Sequence, residues 1–498
     1  MNLPAFIWLM LVPALAAVVA YLAGRIVPRT KAWYVPCVIT LVALVAAWVP
    51  FVLTARELAQ GVTEQYTLGS ITLRMDGLGL LLSAVALVLG TLVVVFSGPD
   101  LAKETGQEKF YAMLLLMISM IMGMGCATDL FNLWVWFETM AVTSYLLVAF
   151  YRNQPAALEA GFKYLVQSAA GSVLIVIGIA IVFASTGSTN LEIVRGVARP
   201  SAELAAAGAL FIIGFGVKTA LVPMHTWLPD AHSQAPSGIS AMLSGIVIEA
   251  GLVVLLRTLG MLIHVSSSWS ILLMGFGSVN MLVGNLMALR QKQVKRLLAY
   301  SSVAQIGYML LGLGIALYSG QIDGAQGSFF HLVNHGLMKG LAFLSAGVLL
   351  YALHTGIGDH RPLLIDELSG AAKRYPLAAL ALSLAVLGLG GLPPLAGFMS
   401  KWQIFSAGFE TRNVWLEWLV VFAALNSVLS LAYYMPLINA MYRLEPSPRV
   451  EGGVTMPKVM GVPLVVLSLA VIVLGVWPGL VNWLTIPAAQ AFLRNLGG

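Results

Sequence analysis

Residues 211 to 257 read FIIGFGVKTALVPMHTWLPDAHSQAPSGISAMLSGIVIEAGLVVLLR. Two apolar runs flank a polar knot, MHTWLPDAH, and the runs themselves hold Lys218, Pro223 and Glu249. A charge at the centre of a bilayer costs about 2.5–3.5 kcal/mol by insertion scales, so a lysine or glutamate kept there points to function. The reading of this stretch as membrane-buried helix therefore decides both fold and chemistry.

The whole chain agrees with that reading. Its 498 residues are 59% hydrophobic and only 10% charged, with a mean hydropathy of +0.90, a balance outside the range of soluble globular proteins. Apolar runs long enough to cross a bilayer as helix recur from end to end, and the short alternating segments of a membrane barrel are absent. The fold class is all-α and polytopic. A net charge of +6 would suit nucleic acid in a soluble chain, but here the basic residues fall in short loops between apolar runs. No nucleic-acid partner is expected. Cys37 and Cys126 are too few for an iron–sulfur cluster or zinc knuckle. GFGVKT at 214–219 lacks the spacing of a phosphate loop. No cofactor, metal or nucleotide site follows from the residues, and no nucleophile, base and oxyanion arrangement is present. The first 27 residues lack a basic leader and read as the first span.

The periodicity predicts fourteen spans, at 4–24, 33–53, 77–97, 109–127, 130–150, 164–186, 206–225, 237–256, 270–289, 297–318, 327–353, 377–408, 417–441 and 459–482. An even number puts both termini on one side. Loops after odd-numbered spans carry seventeen of the 27 Lys and Arg, including Arg29 and Lys31, against seven on the other face: Arg56, Arg74, Arg195, Arg199, Arg257, Arg412 and Arg494. The positive-inside rule then predicts outward-facing termini in a bacterial-type cytoplasmic (inner) membrane. One transmembrane domain, 1–498, is expected.

Two spans carry helix breakers. One ends at Pro223, and the other holds GLGGLPPLAGF at 388–398 and is too long for one straight crossing. Each has a lysine beside the break, Lys218 or Lys401. Broken helices in corresponding positions predict two inverted five-helix repeats, spans 4 to 8 (about 109–256) and 9 to 13 (about 270–441), with the transport site between them.

The ionisable side chains expected inside spans are Glu138, Lys218, Glu249, His331, His335, Lys339 and Lys401. By helical rise Glu138 sits roughly 12 Å and Lys218 roughly 18 Å into their spans. Glu138 is either a carboxyl neutralised by burial or the partner of Lys218, each holding the other charged. His331, His335 and Lys339 follow at i, i+4 and i+8 and stack on one helix face as a proton relay. Two histidines at i and i+4 also suit zinc, but the glutamate of a metalloprotease helix and a third ligand are missing. Lys401 is either buried or snorkels to the interface. His225, Asp230 and His232 in the polar knot read as a proton entry point, or as an ordinary loop.

PMHTWLPDAHSQAPSGISAMLSG, NLWVWFETM, RLLAYSSVAQIGYMLLG, HLVNHGLMKGLAF and GLPPLAGFMSKW together resemble the antiporter-like subunits shared by Mrp-type Na+/H+ antiporters, respiratory complex I and membrane-bound hydrogenases. The similarity runs from about Asp76 to Phe405, and the D-type chain of the Mrp antiporters looks most similar. The resemblance implies fourteen helices with broken helices 7 and 12. It also implies Glu138 and Lys218 as the first half-channel pair, Lys339 as a central relay and Lys401 as the lysine of the outer half-channel. This chain departs from the family at Glu249, where many relatives carry lysine. The long lateral helix of the largest subtype is not expected.

The resulting expectation is a proton-translocating subunit of a multisubunit cation/proton antiporter, working with other membrane subunits, with protons and Na+ as candidate ions. The alternative is a proton-pumping subunit of an NADH:quinone oxidoreductase or hydrogenase. A stand-alone metabolite transporter and a structural scaffold fit the buried titratable set less well.

Overall fold

The computed structural model describes residues 3–27, 34–443 and 445–496, so Arg29 and Lys31 of the charge count lie outside the described residues. The chain begins with α1 (Ala5–Ile26) and α2 (Val35–Ala59), then an antiparallel hairpin of β1 (Gln65–Leu68) and β2 (Ile71–Arg74). The hairpin turns at Gly69, whose φ of 62° suits glycine. There follow α3 (Gly77–Asp100), α4 (Gln107–Cys126), α5 (Leu130–Val148), α6 (Pro155–Thr186), α7 (Leu191–Val197), α8 (Ala202–Thr219) and α9 (Trp227–Gln234). Next come α10 (Ser237–Met242), a π-helical turn (Leu243–Val247), α11 (Ile248–Met261), α12 (Trp269–Ala288), α13 (Val294–Ser319) and α14 (Ile322–Leu353). The rest is α15 (Ala371–Arg374), α16 (Pro376–Gly390), α17 (Ala396–Glu410), α18 (Val414–Met441), α19 (Pro448–Gly452), α20 (Lys458–Val476) and α21 (Asn482–Leu496).

Twelve helical stretches among the described residues are long and apolar enough to cross a membrane, the run from α10 to α11 counting as one. The fourteen expected stretches each contain helix among the described residues, and two of them fall outside the twelve for physical reasons. α5 carries Asn132, Glu138 and Thr139 within 19 residues, which lowers its hydropathy. The stretch 377–408 is two shorter helices, α16 and α17, parted by GLPPL. The residues after the last span form α21, which packs so closely on the start of α3 that a side chain at Gly77 would strike the Pro487 backbone.

Helix starts follow the local chemistry of exposed N–H groups. Asp76 accepts from Gly79 N (2.9 Å), Asp129 from Phe131 N and Asn132 N (2.9 and 3.0 Å), and Ser201 from Leu204 N (3.2 Å). Burial sorts the helices into an inner group and a ring. α10–α11 are buried throughout and α13 over all but its ends, and α14 almost so, whereas α1, α2, α6, α18 and α20 turn much of their surface outward. The inner group carries Glu249, His331, His335 and Lys339 fully buried, the reverse of a soluble protein and the expected order when the surroundings are lipid.

Both breaks are bridged by amides from neighbouring helices. At the first, Asn280 of α12 accepts from Val222 N (2.9 Å) and donates to the Ala220 carbonyl (3.1 Å). At the second, Gln305 of α13 donates to the Leu389 carbonyl (3.1 Å) and Asn334 of α14 to the Ala396 carbonyl (2.9 Å). Backbone groups freed by a break in a membrane must find such partners inside the protein.

The second break closes on itself without room for a methyl group, because a Cβ at Gly397 would overlap the Gly388 carbonyl. Gly397→Ala is therefore expected to lower the yield of folded protein sharply, while Gly275→Ala, on a flank of α12 with nothing within 4 Å, leaves it unchanged. Detergent-extracted yield and thermal unfolding of the two variants check this.

Candidate functional site

Lys218 is in the last turn of α8, at the first break, and is 1% exposed. Helix C-termini present carbonyl dipoles whose negative ends favour a cation. Its amine hydrogen-bonds the Tyr164 hydroxyl and the Ser144 hydroxyl (3.1 Å), and lies 4.4 Å from the centre of the Tyr164 ring. Tyr164 is itself stacked flat on Trp227 at 3.8 Å, and the Trp227 indole donates to the Val217 carbonyl (2.6 Å). The chain after the break thus folds back to hold the ring that holds the amine.

Glu138 stands near this cage without entering it. Among the described residues there is no ion pair between Glu138 and Lys218, and Glu138 Oε2 is buried with no hydrogen-bond partner. The partners that the amine uses are neutral.

At the second break the arrangement recurs with other residues. Lys401 is 2% exposed, so it does not snorkel. Its amine donates to the Leu389 carbonyl at the end of α16 (2.7 Å) and to Ser427 (2.9 Å), 4.4 Å from the centre of the Tyr308 ring. Again an ammonium meets a hydroxyl and an aromatic face, and here it also meets the carbonyl end of a broken helix.

Between the two lysines lies a buried acid. Glu249 follows the π-helical turn directly, a local widening that recurs at functional positions in helices. Its Oε1 is 2.6 Å from His335 Nδ1, and both side chains are fully buried. Glu249 Oε2 and His335 Nε2 have no protein partner, so the pair keeps one open atom at each end. α11 packs closely on α8 at Gly251, where a Cβ would meet the Lys218 Cβ at 3.2 Å.

His335 continues the line. Its ring lies 6.3 Å from that of His331, with 27° between the planes. His331 Nε2 is 3.0 Å from Gln305 Oε1 and Nδ1 is 2.9 Å from Ser400 Oγ. Gln305 uses its NH2 group on the Leu389 carbonyl, so its oxygen faces His331 and the imidazole must donate from Nε2. His331 Nδ1 then accepts from Ser400. Leu389 O receives both Gln305 and Lys401, which joins His331 to the second lysine through one amide and one carbonyl.

Lys339, one turn beyond His335, leaves this line for a separate branch. Its amine donates to the Leu298 carbonyl (2.7 Å) and Ser301 (2.6 Å), and Ser301 is hydrogen-bonded to Tyr434. Among the described residues none of Lys218, Lys339 and Lys401 forms an ion pair with a carboxylate.

The polar knot separates into three environments. Asp230 is at the surface, 2.8 Å from Arg296 and 3.3 Å from Lys163. His232 is wholly buried, stacked on Phe343 at 4.6 Å, with both ring nitrogens unpartnered. His225 is 8% exposed, near Tyr300. Among the described residues no side-chain hydrogen bond joins the three.

Tyr164, Ser144, Tyr308, Ser427, Gln305, Ser301 and Ser400 were invisible to a reading based on charge, because neutral hydroxyls and amides cost little in a span. The signal was present in α13, where Ser301, Gln305 and Tyr308 recur at helical spacing in a fully buried span.

Known proteins share this architecture. The NADH:quinone oxidoreductase/Mrp antiporter transmembrane family model matches residues 127–430. Subunit N of the NADH-quinone oxidoreductase of Desulfitobacterium hafniense is 33% identical over 431 residues, covering 82% of this chain and 84% of that protein. Subunit N of the F(420)H(2) dehydrogenase of Methanosarcina mazei is 33% identical over 429 residues, covering 84% and 85%. Among solved structures, a chain of the membrane-bound sulfane sulfur reductase, an archaeal respiratory membrane complex, superposes with a TM-score of 0.85 at 28% identity over 99% of this chain and 100% of that one. A chain of the Mrp complex from Dietzia sp. DQ12-45-1b has a TM-score of 0.85 at 22% identity over the full length of both, a likeness of fold.

The Glu249 and His335 pair makes a stability prediction independent of transport. Glu249→Gln keeps a hydrogen-bonding oxygen for His335 and should leave thermal unfolding close to wild type. Glu249→Leu strands the imidazole and should cost about 1–3 kcal/mol, read as a lowered unfolding midpoint.

Proposed function

The chain belongs to the NADH:quinone oxidoreductase/Mrp antiporter transmembrane family, and from that premise we propose that it is a proton-translocating membrane subunit of a redox-driven respiratory complex. The observation that carries the reading is the 33% identity, over more than four-fifths of the chain, to N subunits of two oxidoreductases that differ in electron donor. What such complexes have in common is electron transfer, and the residues of this chain supply no chemistry of their own for it. Its part is then the coupled movement of protons.

The expected assignment to the D-type chain of an Mrp antiporter gives way on the same ground. The Mrp chain supports a shared fold at 22% identity, and the higher identities lie with the oxidoreductase subunits. Other membrane subunits are the partners this reading requires.

In the mechanism proposed, Lys218 and Lys401 are proton-carrying amines at the two ends of a buried line, and Glu249, His335 and His331 carry the proton between them. Each amine is held by neutral dipoles, so losing a proton does not strand a paired carboxylate in lipid. Glu249 and His335 exchange one proton across 2.6 Å, with water completing the hydrogen bonding at their open atoms. Glu249 thus occupies the central position as an acid, the departure from the family pattern expected from the sequence. Glu138 serves as a nearby carboxylate that Lys218 can approach on leaving Tyr164 and Ser144. Lys339 acts as the branch through Ser301 and Tyr434. His225, Asp230 and His232 form the entry side, with the termini outward. The two broken helices make the halves of the device equivalent.

The test uses inverted membrane vesicles containing the assembled complex, with electron transfer and proton uptake followed together. Lys218→Ala and Lys401→Ala should each lower proton uptake about tenfold or more with the complex still assembled. Proton uptake that survives both changes would remove the lysines from the path. Proton movement driven by a Na+ gradient with no electron donor would restore the antiporter reading.

A further inference from the structure

On the face with fewer basic residues, a cavity of about 800 Å3 opens between the hairpin, α7 and α21. It is lined by Arg74, Arg195, Arg257 and Arg494 together with Asp76 and Glu192. Only seven Lys and Arg lie on this face by the sequence count, and four of them share this one cavity. Topology alone asks for few basic residues here and gives no reason to gather them.

The charges do not cancel. Arg257 pairs with Asp76 at 2.8 Å and Arg74 with Glu192 at 3.3 Å. Among the described residues neither Arg195 nor Arg494 has an acidic partner, although Arg195 donates to the main-chain carbonyl of Arg494. A second observation is independent of this surplus. Arg257 is 7% exposed and is held by Asp76 and the Gly125 carbonyl (2.7 Å), yet its Nε is buried with no partner. Its side chain is thus fixed at the cavity wall by two acceptors, with Nε closed off from the cavity itself.

The depth of the cavity narrows what that acceptor is. α2, α4 and α11 end beside it and α3 begins there, so it lies where spanning helices meet the headgroup layer. Its wall is mixed, with apolar Leu58, Ala127 and Met261 at the helix ends and an excess of arginine over acid elsewhere, matching the junction of an acyl chain and a phosphate. Guanidinium groups are suited to phosphate oxygens, which accept two parallel N–H bonds. We propose that this cavity binds the phosphodiester headgroup of an anionic phospholipid, with Arg195 and Arg494 supplying the free charge on a wall that Arg257 helps to fix.

The experiment uses the assembled complex, delipidated in neutral detergent and placed in phosphatidylcholine nanodiscs with or without phosphatidylglycerol. Retained lipid is read by native mass spectrometry and stability by thermal unfolding. The wild type should retain phosphatidylglycerol and unfold at a higher temperature in its presence. Arg195→Gln with Arg494→Gln should abolish both effects. Arg199→Gln with Arg412→Gln, which removes the same charge from the same face outside the cavity, should keep them. Equal loss in both double variants reduces the effect to general surface charge and overturns the site, as does a wild type that retains no phosphatidylglycerol. Soluble glycerol 3-phosphate that stabilises as well as the lipid overturns the lipid assignment in favour of a free phosphate ester.

Discussion

Three buried amines held without a carboxylate set the terms for the rest of this structure. An ammonium cannot be left bare in the interior of a membrane protein, and a permanent ion pair would hold its proton in place. The two broken helices resolve that conflict. A helix cut in mid-membrane presents backbone carbonyls that nothing within the helix uses, and the Lys401 amine takes one of them, while the chain beyond the first cut folds back to stack Trp227 on the Tyr164 ring that holds Lys218. Much of the surrounding polar inventory, including Asn280, Gln305 and Asn334, serves to keep the cuts from being ruinous to the backbone.

Much of this was legible in the sequence, for reasons that can be located. A lysine beside a proline in an apolar run is visible because both are rare there, and each marks the other as deliberate. His331, His335 and Lys339 announced a shared helix face by spacing alone, yet spacing could not say that Lys339 turns toward Ser301 while His335 meets Glu249. The expected contact between Glu138 and Lys218 illustrates the same limit. Opposite charges in two spans suggest a pair, but tyrosine and serine solvate an amine nearly as well, and their presence in a span carries little signal. The hairpin at 65–74 passed unnoticed because a four-residue strand is too short to stand out beside long helices.

Glu249 changes the character of the centre. A relay of lysines alone passes protons between like groups, each charged when loaded. An acid that meets an imidazole is neutral when its proton is on the carboxyl and forms an ion pair when the proton is on the ring. In the proposed relay, the middle of the line can therefore hold one proton with no net charge in the membrane interior. The π-helical turn just before it gives the backbone there a geometry that ordinary helix would not.

The Leu389 carbonyl has a consequence for coupling. Its two lone pairs are both engaged, one by the amine of Lys401 and one by the amide of Gln305, and the other end of that amide meets His331. When the amine moves away, the oxygen becomes a better acceptor for the amide, and the amide in turn polarises toward the imidazole. In the proposed relay, the state of Lys401 is therefore felt at His331 across a few ångströms of bonded atoms. A single oxygen atom then ties the edge of the line to its centre.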